Sequence, residues 1–576
     1  MATIQSKITN GHKYWYIVES RRVDGKPRPI VLEYLGKADD LLKRLQGDVE
    51  NVKLKSYSHG LCAKMLDVAS NLDLCEILNK YVDSKRSYTT QKPIRNGLTV
   101  GASLMLASLG RACTIVSKDA WSKWAKTTSL EYLLRTNFSK IDSQHFWDCM
   151  DAFPEENIEK AELEILRNVM LQYSIYTETL LYDTSNYYTY INTDNIHCDI
   201  AKRGKNKQKR NDLRQVGLAL VVSKDGMIPL FHHSYEGNMN DSKVFKEIIE
   251  KIKERLGLLG ISMREHTIVF DRGNNSKKNI KTITDLNMNF VGALSPYHHK
   301  KLMEEASDGL EEHLVGDKKM LVYKTARTIW GVDMTVVVTI SDKLKEGQIR
   351  GIHTSITSFE KAVAKINKSL KNPRSKKRDE DKLNEIVKSL ISRYKLNSII
   401  DFHIEKNEDA FEIKTTVLED KLTMLEEEMG YRIIMTNRQD WTAEQIIQTY
   451  HGQSYIENTF KNMKNRQHLS LNPQFHWTSQ KIKIHNFCCV MGYLLSALIY
   501  RDAVEKGFKG SMDSLLDKLS GIRLGTIIEN TGKSGRSKAI YKLEEMDSEE
   551  NKLASDLNIV EIHKKAVKIK GLSVYI

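Results

Sequence analysis

The chain has 576 residues, 40% of them hydrophobic, so it exceeds the usual length of one domain and can bury several cores. Eight prolines and 31 glycines exclude a low-complexity or disordered chain. The formal charge of +14 favours a polyanionic partner, because phosphates neutralised by Lys or Arg release counterions; a merely basic soluble protein is the plain alternative.

Residues 11–36 alternate apolar and polar side chains around Asp24-Gly25, which predicts a β-hairpin inside a β-rich element over 1–55. Leu61, Met65, Val68 and Leu72 share one helical face, and residues 56–175 read as a helical unit with Trp121, Trp124 and Trp147 in its core. That unit could bind DNA or serve only for packing. From about 176 the pattern changes. Thr179-Leu180-Leu181-Tyr182 is a short apolar strand ending at Asp183, followed by strands at Val216–Val222 and Ile228–Tyr235. Asp241 caps an expected helix, and His266-Thr267-Ile268-Val269-Phe270 is a strand ending at Asp271. A helix at about 276–286 and the strand Asn289–Leu294 complete the order β-β-β-α-β-α-β over 176–296, which matches an RNase H-like fold.

Between 297 and 435 the rhythm breaks. Strand patterns at Met320–Thr325, Met334–Ile340, Phe411–Leu418 and Tyr431–Met435, with charged helices over Phe359–Leu396, predict an inserted β-rich subdomain. The basic run Lys371, Arg374, Lys376, Lys377 and Arg378 abuts Asp379, Glu380 and Asp381, so it reads at least as well as a solvated helix. One helix is expected from Thr442 through Lys464 and another over about 479–502, within a unit spanning 436–505; a helical tail, 506–576, includes the polar stretch Thr531–Ser537. The expected architecture is thus α/β: an RNase H-like mixed sheet flanked by helices and interrupted by a β-rich insertion, with a small β element and a helical domain ahead of it.

Seven scattered cysteines without a CxxC pair suit a reducing compartment. The first residues lack the apolar core of a secretory signal, and the apolar stretch Phe487–Tyr500 is short for a bilayer and reads as a buried helix. These features predict a soluble cytoplasmic protein, with no membrane role. No GxxxxGK[ST] loop, zinc-site spacing or GxSxG nucleophile motif occurs.

Asp183 and Asp271 each close an apolar strand and precede turn-forming residues. Carboxylates at strand ends can present hard oxygen ligands to Mg²⁺, although an Asp in such a place is more commonly a turn residue or a cap. Tyr450, Gln453, Glu457 and Lys464 are spaced three, four and seven apart, so one helix face would carry a ring, an amide, a carboxylate and an ammonium. A solvated surface helix would show the same spacing.

This last segment resembles the Y-x2-R-x3-E-x6-K signature of a superfamily of bacterial insertion-sequence DDE transposases. Tyr450, Glu457 and Lys464 are in register, and Gln453 stands where the signature has Arg. Tyr182-Asp183-Thr184-Ser185, Arg210-Asn211-Asp212-Leu213-Arg214-Gln215, Tyr235-Glu236-Gly237-Asn238-Met239-Asn240-Asp241 and Phe270-Asp271-Arg272-Gly273 resemble further stretches of the family, in the family's order. The long interval between Asp271 and Glu457 matches the family's β-rich insertion. The resemblance implies catalytic and metal-binding roles for Asp183, Asp271 and Glu457, which would share two Mg²⁺ ions, with Mn²⁺ as a substitute. Asp183 would bridge the ions. The implied chemistry is DNA cleavage at transposon ends and strand transfer into target DNA. The implied partners are double-stranded DNA, as terminal inverted repeats and target, and a second copy of the chain in a homodimer.

Tyr450, Lys461 and Lys464 would then hold DNA phosphates, and Gln453 would lack the charge and fork of an Arg. Lys202, Arg203, Lys205, Lys207, Lys209, Arg210 and Arg214 form a basic segment with one acid, Asp212, and would contact the DNA backbone; a solvated loop is the alternative. A catalytically silent DNA-binding derivative and an RNase H-like nuclease that cuts without joining are the competing functions.

Overall fold

The computed structural model describes the whole chain except residues 1, 10–11, 24–25, 40–51, 84–96, 205–209, 373–378, 408–409, 473, 530–537, 566 and 573–576. The expected turn at Asp24-Gly25, the cations Arg374, Lys376, Lys377 and Arg378, and the stretch Thr531–Ser537 therefore lie outside the described residues.

Strands β1 (Ala2–Thr9), β2 (His12–Val23) and β3 (Lys26–Gly36) form an antiparallel sheet. β1 was absent from the sequence reading. Tyr16 faces Tyr34 across the β2–β3 ladder with ring centroids 5.2 Å apart, a cross-strand pair that fixes register. After β4 (Val52–Ser58) come α1 (Gly60–Asn71), α2 (Leu74–Lys80), α3 (Val100–Cys113), the short α4 (Trp121–Ala125) and α5 (Leu130–Leu134), then α6 (Ser143–Asp151) and α7 (Ile158–Gln172). Trp121 is the aromatic centre of this unit, edge-on to Trp124, Phe138 and Phe146.

The central sheet is built from β5 (Thr179–Tyr188), β6 (Lys202–Arg203), β7 (Arg214–Ser223), β8 (Pro229–Glu236), β9 (Thr267–Phe270) and β10 (Asn289–Leu294), with α8 (Asp241–Leu258) before β9 and α9 (Lys277–Asp285) before β10. Its strands lie in the order β8-β7-β5-β9-β10; β5, β9 and β10 are parallel and the rest antiparallel. This is the mixed sheet expected of the fold. Asn240, rather than Asp241, caps α8, accepting the Ser242 N–H, which leaves the Asp241 carboxylate to accept the Thr184 hydroxyl at 2.8 Å.

The interval 297–435 is divided between two bodies. After α10 (Lys300–Asp308), strands β11 (Glu311–Val315), β12 (Lys318–Ile329) and β13 (Val332–Ile340) join the central sheet, and β16 (Tyr431–Thr436) stitches them to β10 in the order β11-β12-β13-β16-β10. Between β13 and β16, α11 (Asp342–Leu370), α12 (Glu380–Tyr394), the hairpin β14 (Ile400–Asn407) and β15 (Ala410–Val417), and α13 (Glu419–Glu427) enclose a separate core around Phe359, Leu383, Val387 and Leu396. The strand-rich part thus continues the central sheet, and the part with its own core is mostly helical.

Helices α14 (Ala443–His451) and α15 (Gln453–Asn462) lead into α16 (Ser479–Glu505). α16 is apolar on all sides and is buried between α1, α3, α6 and β8. Among the described residues it is the one helix long and apolar enough to cross a membrane, and 94% of its apolar window is buried inside the protein. The tail holds α17 (Met512–Gly521), β17 (Arg523–Glu529), β18 (Lys538–Leu543), α18 (Ser548–Asp556) and α19 (Ile559–Lys564). It is not purely helical: β17 pairs with β4, so chain segments more than 460 residues apart close one small sheet.

Candidate active site

The β5–β9 register brings two of the predicted carboxylates together. Tyr182 pairs with Phe270 at the end of the parallel ladder, so the next residues, Asp183 within β5 and Asp271 just past the end of β9, are brought next to each other. The rings of Tyr182 and Phe270 both pack on Phe245 of α8, at 4.8 and 5.0 Å between centroids. Alternation along the strands turns Asp183 and Asp271 to the opposite face. Asp183 is half-buried and Asp271 exposed. Asp271 also accepts the Arg272 N–H and caps the short 3-10 turn Arg272–Asn274, so it fills the turn role as well.

That opposite face is covered by α14 and α15. The expected single helix from 442 to 464 is interrupted at Gly452, where the chain passes close to β5. A methyl group there would stand 2.9 Å from the Thr449 carbonyl oxygen and 3.4 Å from Leu181 Cδ2. At the far end, Lys464 donates to the Ser185 hydroxyl and lies 5.2 Å from the Tyr187 ring centroid. Leu181, Asp183, Ser185 and Tyr187 share one face of β5, so the helical segment runs along the strand in the same direction. Five helical residues from Gly452 to Glu457 rise about 7.5 Å, and two strand residues from Leu181 to Asp183 span about 6.6 Å. Glu457, which is exposed, therefore comes level with Asp183.

Tyr450 is near enough to Asp271 and Glu457 for both charges to act on its hydroxyl. Burial pushes its phenol up to about 12; the charges of Asp271 and Glu457 add to this rise, and those of Arg432 and Arg272 oppose it. The ring stays a neutral donor throughout the physiological range. Gln453 Nε2 is buried with no hydrogen-bond partner among the described residues. Lys461 is exposed in the last turn of α15.

Arg432 is the residue that sequence reasoning missed. It opens β16 near the end of the sheet that carries Asp271, with its guanidinium 5.8 Å from the Tyr450 ring centroid and its Nη1 3.3 Å from His451 Nε2. The only available signal was one Arg at the head of an apolar strand, 18 residues before Tyr450, and nothing in a sequence ties those two together.

The basic segment is split. Arg210 is paired with Asp212 through two contacts of 2.8 and 2.9 Å, and Arg214 donates to the carbonyls of Thr193 and Asn195. Lys202 and Arg203 form the edge strand β6. Lys205, Lys207 and Lys209 lie outside the described residues. The two flanking motifs touch: Gln215 Nε2 donates to the Gly237 carbonyl at 2.6 Å, and Gly237 passes too close to the Gln215 backbone to admit a Cβ.

The donor set at the sheet end is hard oxygen, the chemistry that suits divalent cations of the Mg²⁺ kind. Among the described residues, no three His, Cys, Asp or Glu side chains are already gathered at metal-binding spacing.

Residues 191–473 match the family described as "Transposase DDE domain", a stretch that takes in Asp271 and Glu457 and begins just after Asp183. Residues 1–56 match "IS1634 family transposase, N-terminal domain". No curated protein matches the chain. Among solved structures, the chain is similar to "piggyBac transposase synaptic complex with hairpin DNA", with 7% identity and a TM-score of 0.38 over 79% of this chain and 78% of that one. The family uses divalent metal ions and acts on DNA by cleavage and strand transfer. With its IS1634-type N-terminal domain and its DDE domain in sequence, this chain belongs to the insertion-sequence DDE transposases.

Proposed function

We propose that Asp183, Asp271 and Glu457 are the catalytic triad of this transposase, that they hold two Mg²⁺ ions, and that Mn²⁺ can replace Mg²⁺. The observation that carries the reading is the β5–β9 register, which sets Asp183 within β5 next to Asp271 at the end of β9, with the covering segment that bears Glu457 held against β5 at Gly452 and at Lys464. The bound ions would supply charge to activate the attacking oxygen and to stabilise the leaving one.

The protein's own contribution is positioning. Asp183, held between β7 and β9, is the least mobile of the three and suits a bridging role. Lys464, oriented by Ser185 and the Tyr187 ring, holds a DNA phosphate beside Asp183. Arg432 holds another, near Asp271, and supplies the guanidinium that Gln453 lacks. Tyr450 donates a neutral hydroxyl between them. Lys461, Lys202 and Arg203 add backbone contacts further out. Water then attacks at the transposon end and frees a 3′-hydroxyl, which attacks a phosphate of target DNA; one phosphodiester is exchanged for another.

The partners are double-stranded terminal inverted repeats and target DNA, engaged by a homodimer in the bacterial cytoplasm at the nucleoid. The catalytic unit comprises the stretches expected at 176–296 and 436–505 together with β11–β13 and β16. The helical stretch 56–175 is a candidate reader of the transposon ends.

A joining assay tests this reading. The protein is incubated with its element ends, supercoiled target plasmid and Mg²⁺. Joined products are expected. Binding alone would support a silent DNA-binding derivative, and cleavage without joining would support a nuclease.

A further inference from the structure

Beyond the carboxylates, β5 runs on into a surface whose pattern is inverted. In the segment 474–477, the polar side chains of Gln474 and His476 are buried, whereas Phe475 and Trp477 stand 60% and 49% exposed. The same inversion occurs at the end of β5, where Thr189 is buried and Tyr190 is 47% exposed. Turning aromatic rings to water and polar groups inward is unfavourable for folding alone, so the exposed rings point to a ligand.

The rings form a ladder. Tyr188 meets Tyr190 edge-on at 5.8 Å, and Tyr190 stacks on Phe475 at 5.3 Å with an interplanar angle of 26°. Arg210 stands 5.9 Å over the Tyr188 ring at one end. Trp477 lies on the same loop, with His197 edge-on to it. The loop is held from beneath: Tyr190 N–H donates to the Gln474 carbonyl, Gln474 Nε2 donates to Asn486 at 2.7 Å, and Asn195 donates to the Trp477 carbonyl at 2.9 Å. Arg210 borders the ladder and is ion-paired with Asp212, and Lys202 and Arg203, on the edge strand β6, line a hollow together with Asp199.

Alternation along β5 turns Tyr188 to the sheet face opposite Asp183, Ser185 and Tyr187, so the ladder starts at the far end of the strand, on the other side from Lys464. Stacking rings beside cations take bases that are free to leave a duplex, since every base has a face to stack and the backbone is met by charge. A paired duplex hides those faces.

We propose that Tyr188, Tyr190, Phe475 and Trp477 form a stacking platform for unpaired DNA at the end of β5. The proposal rests on the transposase reading for its class of ligand. Binding of single-stranded DNA needs no catalysis and is tested separately.

The test uses the full chain in EDTA with a fluorescein-labelled twenty-residue oligothymidylate and, in parallel, a mixed-sequence 20-base-pair duplex. Oligothymidylate is expected to bind and to quench tryptophan fluorescence, and Trp477→Phe is expected to remove most of the quench while retaining binding. Tyr190→Ala combined with Phe475→Ala should weaken oligothymidylate binding about tenfold or more and change duplex binding less than about twofold. Phe475→Tyr keeps a ring and should bind as the parent does, which separates stacking from misfolding. Unchanged oligothymidylate affinity in the double variant would overturn the proposal. So would an equal loss for duplex and single strand. A Phe475→Ala protein that loses self-association in sedimentation while keeping its oligothymidylate affinity would assign the face to a second copy instead.

Discussion

Two clusters of charge in this molecule use carboxylates in opposite ways. Glu162 of α7 is 1% exposed and fully engaged: one oxygen meets His232 of β8 and the other accepts from Arg255 of α8 at 2.5 Å. Burial alone would raise its pKa, but the His232 and Arg255 charges outweigh that and hold it below the usual range. Of the proposed triad, Asp271 and Glu457 are exposed and Asp183 is half-buried. The first arrangement uses its charge to join the helical unit to the catalytic sheet. The second leaves two of its acids open to solvent. A carboxylate neutralised from within serves stability, and on the proposed reading the exposed acids serve binding.

Perturbations should therefore separate the two regions. Removing divalent ions with EDTA should abolish cleavage and joining completely, leave the melting temperature unchanged, and be reversed by Mg²⁺ or Mn²⁺; a fall in melting temperature would show that the ions are structural. Glu162→Gln should do the reverse. Leaving Arg255 buried without its partner costs about 3–5 kcal/mol, read in chemical denaturation, with catalysis per folded molecule preserved. Arg432→Ala should weaken end binding about tenfold, flatten the dependence of binding on salt, and leave folding intact. Gln453→Arg in that background should restore part of the affinity; no effect of either change would remove Arg432 from the site.

The smallest effect concerns pH. Burial, assisted by His563, lowers the His59 pKa to about 4 from 6.5. The unfolded chain then binds the extra proton first, so stability is intact above about pH 6.5 and declines as pH falls towards 4. A drop of a few degrees in melting temperature over that window is expected, with a shallower slope in His59→Gln. Glu162 acts lower: its contribution holds above the unfolded carboxylate value, near 4.3, and is lost as pH falls through its depressed pKa.

Local patterns carried much of the fold. Asp183 and Asp271 were visible because an apolar run that stops at a carboxylate is a short-range signal, and the start expected at Thr442 matches α14, whose first turn carries Glu444 and is closed by a Thr442–Gln445 capping box. The break at Gly452 was hidden: a 3.6-residue period continues in the letters whether or not the helix bends, and the strand it lies against, at Leu181, is 271 positions earlier. Arg432 was hidden for the same reason, since only sheet order brings the head of β16 to Tyr450. The strands β11–β13 looked like a separate insertion because no sequence shows which edge a strand will join. The β4–β17 pairing is the extreme case of such non-local closure.

The most direct test of the central claim replaces each acid of the triad by its amide: Asp183→Asn, Asp271→Asn and Glu457→Gln, one at a time. Each variant is assayed for cleavage of a transposon end, with melting temperature and end binding measured on the same preparation. The account predicts that each loses at least about a thousandfold in cleavage rate while folding and binding hold, as expected when a group that stabilises the transition state is removed. Retention of cleavage within about tenfold by any one of the three would contradict it.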